Sequence, residues 1–185
     1  MRPDSGRSRA IGTKLSDGMS LIECMMAFAV LAALMVAMPA LKSAFDSVRV
    51  NLACSQFHQA ILVARSEALR RVARVDLVPA SANDWRFGWV VLIDMNNNQQ
   101  LDPDEKVLYR SQADLKNLAI EAKLRDSRNM YLAFGPNGRP RSAGSASVPQ
   151  IGSVLFIAGT QRRKLIISFL GRVRVCNPDR DASAC

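Results

Sequence analysis

Two arginines in the last quarter of the sequence are spaced so that they could bind phosphate groups. Arg172 and Arg174 are separated by one residue, Val173. In a β-strand, residues two apart lie on one face, roughly 6.5–7 Å from each other along the strand. That distance is close to the phosphate spacing of an extended nucleic acid, and each guanidinium can bind phosphate oxygens bidentately. The pair therefore predicts contacts with a nucleic-acid backbone.

Further basic residues lie in the same region of the chain. Residues 135–185 hold eight basic and two acidic residues, a net charge of +6 within a formal total of +9. A cationic track for a phosphate backbone could therefore form here. The alternative is a solubilising basic face on an exposed sheet. The remaining candidate contacts are Arg162, Arg163 and Lys164 in a predicted hairpin tip, and Arg139 and Arg141 in a predicted loop.

The segment 94–105 has the oxygen-rich composition of a cation-binding loop. Position 6 of the calcium-loop pattern is Gln99, where glycine normally permits a sharp turn, and the flanking residues read as strands instead of helices. The segment can therefore be a calcium loop or a hairpin loop held by Asn and Asp side chains, and these departures favour the second. The residues that match positions 1, 3, 5, 9 and 12 are Asp94, Asn96, Asn98, Asp102 and Glu105.

No set of residues in the sequence converges on catalytic chemistry. His58 is the only histidine, and we expect it to lie on the helix surface and not to act as a metal ligand or a base. A Ser/His/Asp set, a metal cluster and a glycine-rich phosphate loop are all missing from the sequence pattern. We therefore predict a protein that is not an enzyme, with no catalytic residue, metal or cofactor.

The four cysteines suggest one disulfide bond. Cys176 and Cys185 enclose a short segment, and in an oxidising compartment they could pair. Cys54 is an alternative partner for either of them, and Cys24 lies in an apolar run. We predict the pair Cys176–Cys185.

The N-terminal part of the chain contains a long apolar run. Residues 24–41 contain no charged side chain, which is close to the minimum length of a membrane-spanning helix. Glu23 lies at the start of this run, and an ionisable group near lipid is costly and usually functional. A polar leader, residues 1–18, with four basic residues precedes it. We assign residues 19–41 to a transmembrane helix segment.

The helical pattern continues beyond the apolar run. Phe57, Ile61, Ala64 and Ala68 recur at spacings of three and four, as in an amphipathic helix that packs on a domain. We assign residues 42–78 to the amphipathic half of the helix, with the helical pattern itself ending near Arg74.

Residues 79–185 are rich in strand-forming residues and turns. The fold class is therefore α+β, a long N-terminal helix packed on an antiparallel sheet, with residues 46–185 as the soluble domain. The predicted strands are 86–93, 106–110, 118–124, 130–134, 153–158, 164–170 and 172–176.

The N-terminal pattern resembles that of type IV pilins and pseudopilins. The shared features are a basic leader, Gly18, Met19 and then Ser20-Leu21-Ile22-Glu23 before an apolar run. The resemblance implies that prepilin peptidase cleaves between Gly18 and Met19 and that Met19 is then N-methylated. In a filament, the carboxylate of Glu23 would pair with the new amine of Met19 in a neighbouring subunit.

The remainder of the chain resembles one branch of that class, the FimT/FimU/GspH family of minor pilins and minor pseudopilins. The resemblance rests on the segments 85–94, 134–139 and 171–174, together with the following Cys176. The Gly-Arg-x-Arg sequence at 171–174 is most similar to FimT-type minor pilins, which bind extracellular DNA in natural transformation. This likeness implies that Arg172 and Arg174 contact DNA.

The resemblance also implies where the protein acts. Its partners would be other pilins in a filament, prepilin peptidase and DNA. The chain would first lie in the bacterial inner membrane with its C-terminal domain in the periplasm, and then at the cell surface in a pilus. Two alternatives are a GspH-like minor pseudopilin of a type II secretion system and a structural or priming minor pilin without DNA affinity.

Overall fold

The computed structural model describes residues 20–81, 84–111, 115, 117–126, 130–145, 147–181, 183 and 185. Gly18 and Met19, the predicted processing site, lie outside the described residues, as does the predicted leader. The chain divides into two compact units, residues 1–40 and 41–185.

One helix, α1 (Leu21–Arg71), accounts for the described part of the first unit. Its most apolar window is long enough to cross a membrane, and no residue of that window is buried in the protein. Leu21, Ile22, Phe28, Met35 and Val36 are among its exposed apolar side chains. By length and composition this segment meets the requirement for the predicted transmembrane helix.

In the second unit, α1 buries one stripe of side chains against the strands. The stripe recurs at helical spacing, as the sequence predicted, and the opposite face is exposed at Leu52, Leu62 and Leu69. Small alanines in the stripe allow the helix backbone to approach the strands closely. The buried residues are Val50, Ala53, Cys54, Phe57, Ala60, Ile61, Ala64 and Ala68.

The helix ends earlier than residue 78, where the sequence placed the end of its amphipathic half. Val72 has a φ of 53°, and the N–H of Ala73 donates to the carbonyl of Ala68. This is the left-handed termination that closes many helices. The strand β1 (Val75–Pro79) follows, and all five of its residues are buried. The boundary prediction was wrong because a short apolar run fits either element until its pairing partners are known.

The other strands are β2 (Trp89–Ile93), β3 (Lys106–Arg110), β4 (Ala119–Leu124), β5 (Leu132–Phe134), β6 (Pro140–Arg141), β7 (Gly152–Ala158), β8 (Gln161–Ile167) and β9 (Val173–Cys176). Together with β1 they form two antiparallel sheets, where the sequence predicted one. A five-stranded sheet has the order β3-β2-β1-β5-β6, and a four-stranded sheet has the order β4-β7-β8-β9. The division arises because β4 pairs with β7 along its whole length and not with β3. The predicted α+β architecture, one long helix packed on antiparallel strands, is confirmed.

The centre of the core is an aromatic cluster around Phe57 of α1. Its ring lies edge-on to Trp85, Trp89 and Phe156, with centroid distances of 5.1, 5.0 and 5.6 Å. Trp89 belongs to the five-stranded sheet and Phe156 to the four-stranded sheet, so this one ring joins both. Both tryptophans are buried. Trp85 lies in a short 3-10 helix (Trp85–Phe87), which also contains Arg86 and Phe87, the first two residues of the strand predicted at 86–93.

The loop 94–105 is held by hydrogen bonds among its own polar groups. The carboxylate of Asp94 accepts from the N–H groups of Asn98 and Gln99 at 3.2 and 2.9 Å, and Asn98 also donates its side-chain amide to Asp102 at 2.7 Å. A guanidinium nitrogen of Arg74 lies 3.7 Å from a carboxylate oxygen of Asp94, the residue at position 1 of the calcium pattern. The negative charge of Asp94 is therefore already paired with a positive charge of the protein. These contacts favour the hairpin-loop alternative.

Candidate nucleic-acid interface

The register of β8 and β9 decides which basic side chains share a surface. Ile166 pairs with Arg174 and Lys164 pairs with Cys176, so alternate residues of both strands face the same way. Leu165 is buried on the opposite, core side. Three predicted contacts therefore lie together on the outer face of the four-stranded sheet. We call this set the basic face: Arg162, Lys164 and Arg174.

Arg163 does not belong to the basic face. It pairs with Phe156 and so points to the core side of the sheet, where it is half-buried. Burial raises the pKa of the Cys54 thiol to about 11, and the nearby charge of Arg163 opposes this shift. The sequence had grouped residues 162–164 in a hairpin tip, but the turn is Gly159–Thr160 and the three basic residues alternate along a strand.

Arg172 lies just before β9, and so outside the strand in which the sequence placed it. A tight turn, residues 168–172, is closed by the N–H of Ser168 donating to the Arg172 carbonyl at 3.0 Å. The N–H of Arg172 donates in return to the hydroxyl of Ser168 at 3.1 Å. The side chains of both Arg172 and Arg174 are exposed. The turn therefore presents Arg172 at the start of the strand that carries Arg174.

This turn packs on a second loop through Gly171. Gly171 has a φ of 78°, and a Cβ there would lie 3.1 Å from the Gly138 carbonyl oxygen and 3.2 Å from the Cδ of Pro140. Arg65 of α1 donates to the Gly171 carbonyl at 3.1 Å. Only glycine fits this conformation and this close approach without strain. The turn 168–172 and the loop 135–139 are therefore held together against the helix.

Arg139 lies on that second loop, whereas Arg141, which was also predicted in a loop, belongs to β6 and pairs with Ala133. Both lie beside Phe169, a residue that was not among the predicted contacts. The guanidinium carbon of Arg139 is 5.8 Å from the ring centroid of Phe169. Arg139, Arg141 and Phe169 line a cavity of about 250 Å³. The strand predicted at 164–170 includes Phe169, although Gly171, two residues later, signals a turn.

The predicted disulfide between Cys176 and Cys185 is confirmed, with Cα atoms 5.9 Å apart. It brings the end of the chain next to the basic face. The ammonium of Lys164 donates to the carbonyl of Cys185 at 3.0 Å, and Arg162 lies 3.5 Å from the carboxylate of Asp179. Arg162 and Lys164 therefore have intramolecular partners, and the Arg162 pair is exposed enough to exchange for phosphate.

Glu23, the predicted assembly residue, lies in the first turn of α1. Its N–H donates to the carbonyl of Ser20 at 3.0 Å, and its side chain is exposed. A carboxylate in the first helical turn interacts favourably with the helix dipole. The exposed position leaves the carboxylate accessible to a group from another chain.

A family described as Type II transport protein GspH matches residues 53–171 of the chain. The match contains most of the strands and the buried part of α1, and it ends immediately before Arg172. No curated protein has a significantly similar sequence.

Similar folds occur among solved structures. The minor type IV pilin FimU of Pseudomonas aeruginosa aligns in two crystal forms with TM-scores of 0.52 and 0.53, at 16% and 17% identity. These alignments cover 70% and 71% of this chain and 94% and 90% of FimU. The minor pseudopilin EpsH of the type 2 secretion system of Vibrio cholerae aligns with a TM-score of 0.46 and 13% identity, over 70% of this chain and 98% of EpsH.

Proposed function

Because the chain belongs to the GspH family and is a minor type IV pilin or pseudopilin, we propose that it is a minor pilin that binds extracellular DNA in natural transformation. In this proposal the phosphate backbone contacts Arg172 and Arg174 first. Arg162, Lys164, Arg139 and Arg141 extend the contact, and Arg163 is left out because it faces the core side of the sheet.

The observation that carries the proposal is the placement of Arg172 and Arg174. Both side chains are exposed, and Arg174 shares the basic face with Arg162 and Lys164. The segment 135–185 has a net charge of +6. Phosphate contacts of this kind position a duplex without reading its bases. Binding should therefore depend on salt and not on DNA sequence.

Assembly and location are part of the same proposal. Prepilin peptidase would cleave between Gly18 and Met19, and Glu23 would pair with the methylated amine of Met19 in a neighbouring subunit. The Cys176–Cys185 disulfide supports exposure of the domain to an oxidising compartment such as the periplasm. Before assembly, α1 would anchor the chain in the inner membrane, and the filament would then carry the domain to the cell surface.

The first prediction tests the DNA contacts with the full chain in uncharged detergent. Fluorescence anisotropy would measure the affinity for two duplexes of unrelated sequence across a salt series. Arg172→Ala with Arg174→Ala should weaken both complexes equally. The plot of log affinity against log salt should also become less steep, by about two in the magnitude of its slope, since roughly one counterion is released per phosphate contact. A matched control is Arg86→Ala with Arg110→Ala, which removes the same charge at two other exposed positions.

Two results would contradict the proposal. The site assignment fails if the double variant at 172 and 174 behaves like its control. The DNA-binding function fails if the unmodified chain has no affinity for duplex DNA at moderate salt. The second result would favour one of the two alternatives without DNA affinity, a structural subunit of a secretion pseudopilus or a priming subunit of a pilus. The match to a type II transport family supports the first of these.

A further inference from the structure

The cavity beside the basic face combines an exposed aromatic ring with two arginines. Phe169 lies in the turn 168–172 and remains 54% exposed, although a core position would be usual for phenylalanine. Arg139 approaches its ring, and Arg141 lines the same cavity. Pro136, Pro140 and Pro149 complete much of the remaining wall. The cavity thus offers one stacking surface and two phosphate-binding groups.

A second observation concerns Arg141. Its Nε atom is buried, and within the described part of the chain it donates to no acceptor. Buried donors in proteins nearly always have a hydrogen-bond partner, so an acceptor supplied by a ligand or by water is expected here. Arg141 also lines the cavity, and a guanidinium there can bind phosphate oxygens through its N–H groups.

Hydrogen bonds to the backbone fix the loop and the turn that carry the side chains lining the cavity. The N–H of Gly135 donates to the carbonyl of Arg139 at 2.9 Å, and the N–H of Gly138 donates to the carbonyl of Gly135 at 2.8 Å. On the other side, the bond from Arg65 to Gly171 holds the turn that carries Phe169. A preformed site loses little conformational entropy when it binds.

We propose that this cavity is a subsite for one unstacked nucleotide of single-stranded DNA. The base stacks on Phe169, and its phosphate is bound by Arg139 and Arg141. The volume, about 250 Å³, lies just below the usual range for small-molecule pockets, about 300–1,000 Å³, which suits a single small unit. This inference rests on the proposed DNA-binding function and specifies the strand form that this function uses.

The stacking surface selects between the two forms of DNA. A base inside a duplex is already stacked on both faces, so its ring cannot reach Phe169 without being flipped out. In a single strand each base offers an open face, and proteins that bind single strands use aromatic side chains beside a basic groove in this way. Arg172 belongs to the same turn as Phe169, so the strand would continue from the cavity towards the basic face.

The second prediction isolates the stacking contribution. The full chain in uncharged detergent is titrated with a 5′-labelled single strand of thymidines and with a strand of equal length and charge that has abasic sites throughout. The unmodified chain should bind the thymidine strand about tenfold more tightly, which is in the range of one base–aromatic stack. Phe169→Leu retains an apolar side chain but has no aromatic face, so the two strands should then bind equally. Leu170→Ala is the matched control, because Leu170 is the equally exposed neighbour in the same turn, and it should leave the preference unchanged.

The outcomes separate the subsite from the wider proposal. If Phe169→Leu keeps the preference for thymidines, or if the unmodified chain shows no preference, the subsite is wrong. Duplex binding that still depends on Arg172 and Arg174 would in that case leave the proposed function intact. If the chain binds no DNA of any form, both proposals fail. A thermal unfolding curve of Phe169→Leu that matches the unmodified chain verifies that the variant is folded.

Discussion

At the scale of single residues, Asp76 is a carboxylic acid that is buried in the core. It is fully buried in β1, between Leu92 of β2 and Ala133 of β5. Arg74 donates to its carboxylate at 2.7 Å, and Asp94 is close enough to disfavour a second negative charge. Burial raises the pKa of Asp76 from 3.8 to about 7, although the ion pair with Arg74 opposes the shift.

The third prediction follows from this shift. Because the pKa is raised in the folded state, the native protein between pH 4 and 7 holds a proton that the unfolded chain has released. The contribution to stability is therefore complete below the unfolded pKa and is lost as the pH rises through about 7. Asp76→Asn should abolish this loss, so the free energy of unfolding of the unmodified chain should fall relative to the variant by roughly 1–4 kcal/mol from pH 4 to pH 7.

Denaturant unfolding at several pH values would measure this difference. Asp84→Asn serves as the control, because Asp84 is only half-buried and a hydrogen bond from Arg86 lowers its pKa, which is a shift in the opposite direction. If the stability of the unmodified chain and that of Asp76→Asn instead change in parallel between pH 4 and 7, Arg74 keeps Asp76 ionised throughout this range and the expected direction is wrong.

The candidate site was partly predictable at this scale. The types and spacing of Arg172 and Arg174 can be read from the sequence because they are neighbours in the chain. The exclusion of Arg163 and the inclusion of Phe169 cannot be read in the same way. The first depends on the register between β7 and β8, and the second depends on a turn that packs on a loop about 30 residues earlier.

At the scale of elements, α1 joins the two sheets through Phe57. The helical stripe that contains Phe57 was predicted from its periodicity and is confirmed. Its contacts with Trp89 and Phe156 were not predictable. These two residues belong to different sheets, and they come close to Phe57 only when both sheets pack on the helix.

The fourth prediction tests this junction. Phe57→Ala would leave a cavity against both sheets and should destabilise the fold by about 3–5 kcal/mol. Leu62→Ala on the same helix is a suitable control, since Leu62 is 50% exposed and its truncation leaves no cavity. Chemical denaturation of the two variants would compare them. A cost below about 1 kcal/mol for Phe57→Ala would mean that the neighbouring side chains refill the space, contrary to the close packing described here.

At the scale of the whole molecule, the distribution of charge and of apolar residues separates two tasks. The apolar first part of α1 carries one acidic residue, Glu23, and no basic one between residues 20 and 41. Most of the excess positive charge lies after residue 134. In the proposed function, the first part serves assembly in a lipid environment and the second part serves binding of a polyanion.

The fifth prediction concerns assembly. Glu23→Ala should reduce the amount of the protein in sheared filaments by more than about tenfold, because the new N-terminal amine of a neighbouring subunit would be buried without its partner. Immunoblots of the sheared and inner-membrane fractions would measure this distribution. Glu121→Ala removes an exposed acid of the second unit and should assemble normally. Normal incorporation of the Glu23 variant would contradict the assembly role.

The sequence by itself determined that a long helix precedes the strands, which parts of the helix are apolar and amphipathic, the expected pairing of Cys176 with Cys185, and the position of the basic region. Each of these is a local property, because periodicity, composition and short spacings are preserved whatever the chain packs against. Only the tertiary structure decided that there are two sheets, that β1 is a strand, that Arg163 faces the core side, that Asp76 is buried and that Phe169 meets Arg139 and Arg141. These features depend on pairing between residues far apart in the chain, and the energies that select such pairings come from burial and register and not from local preference.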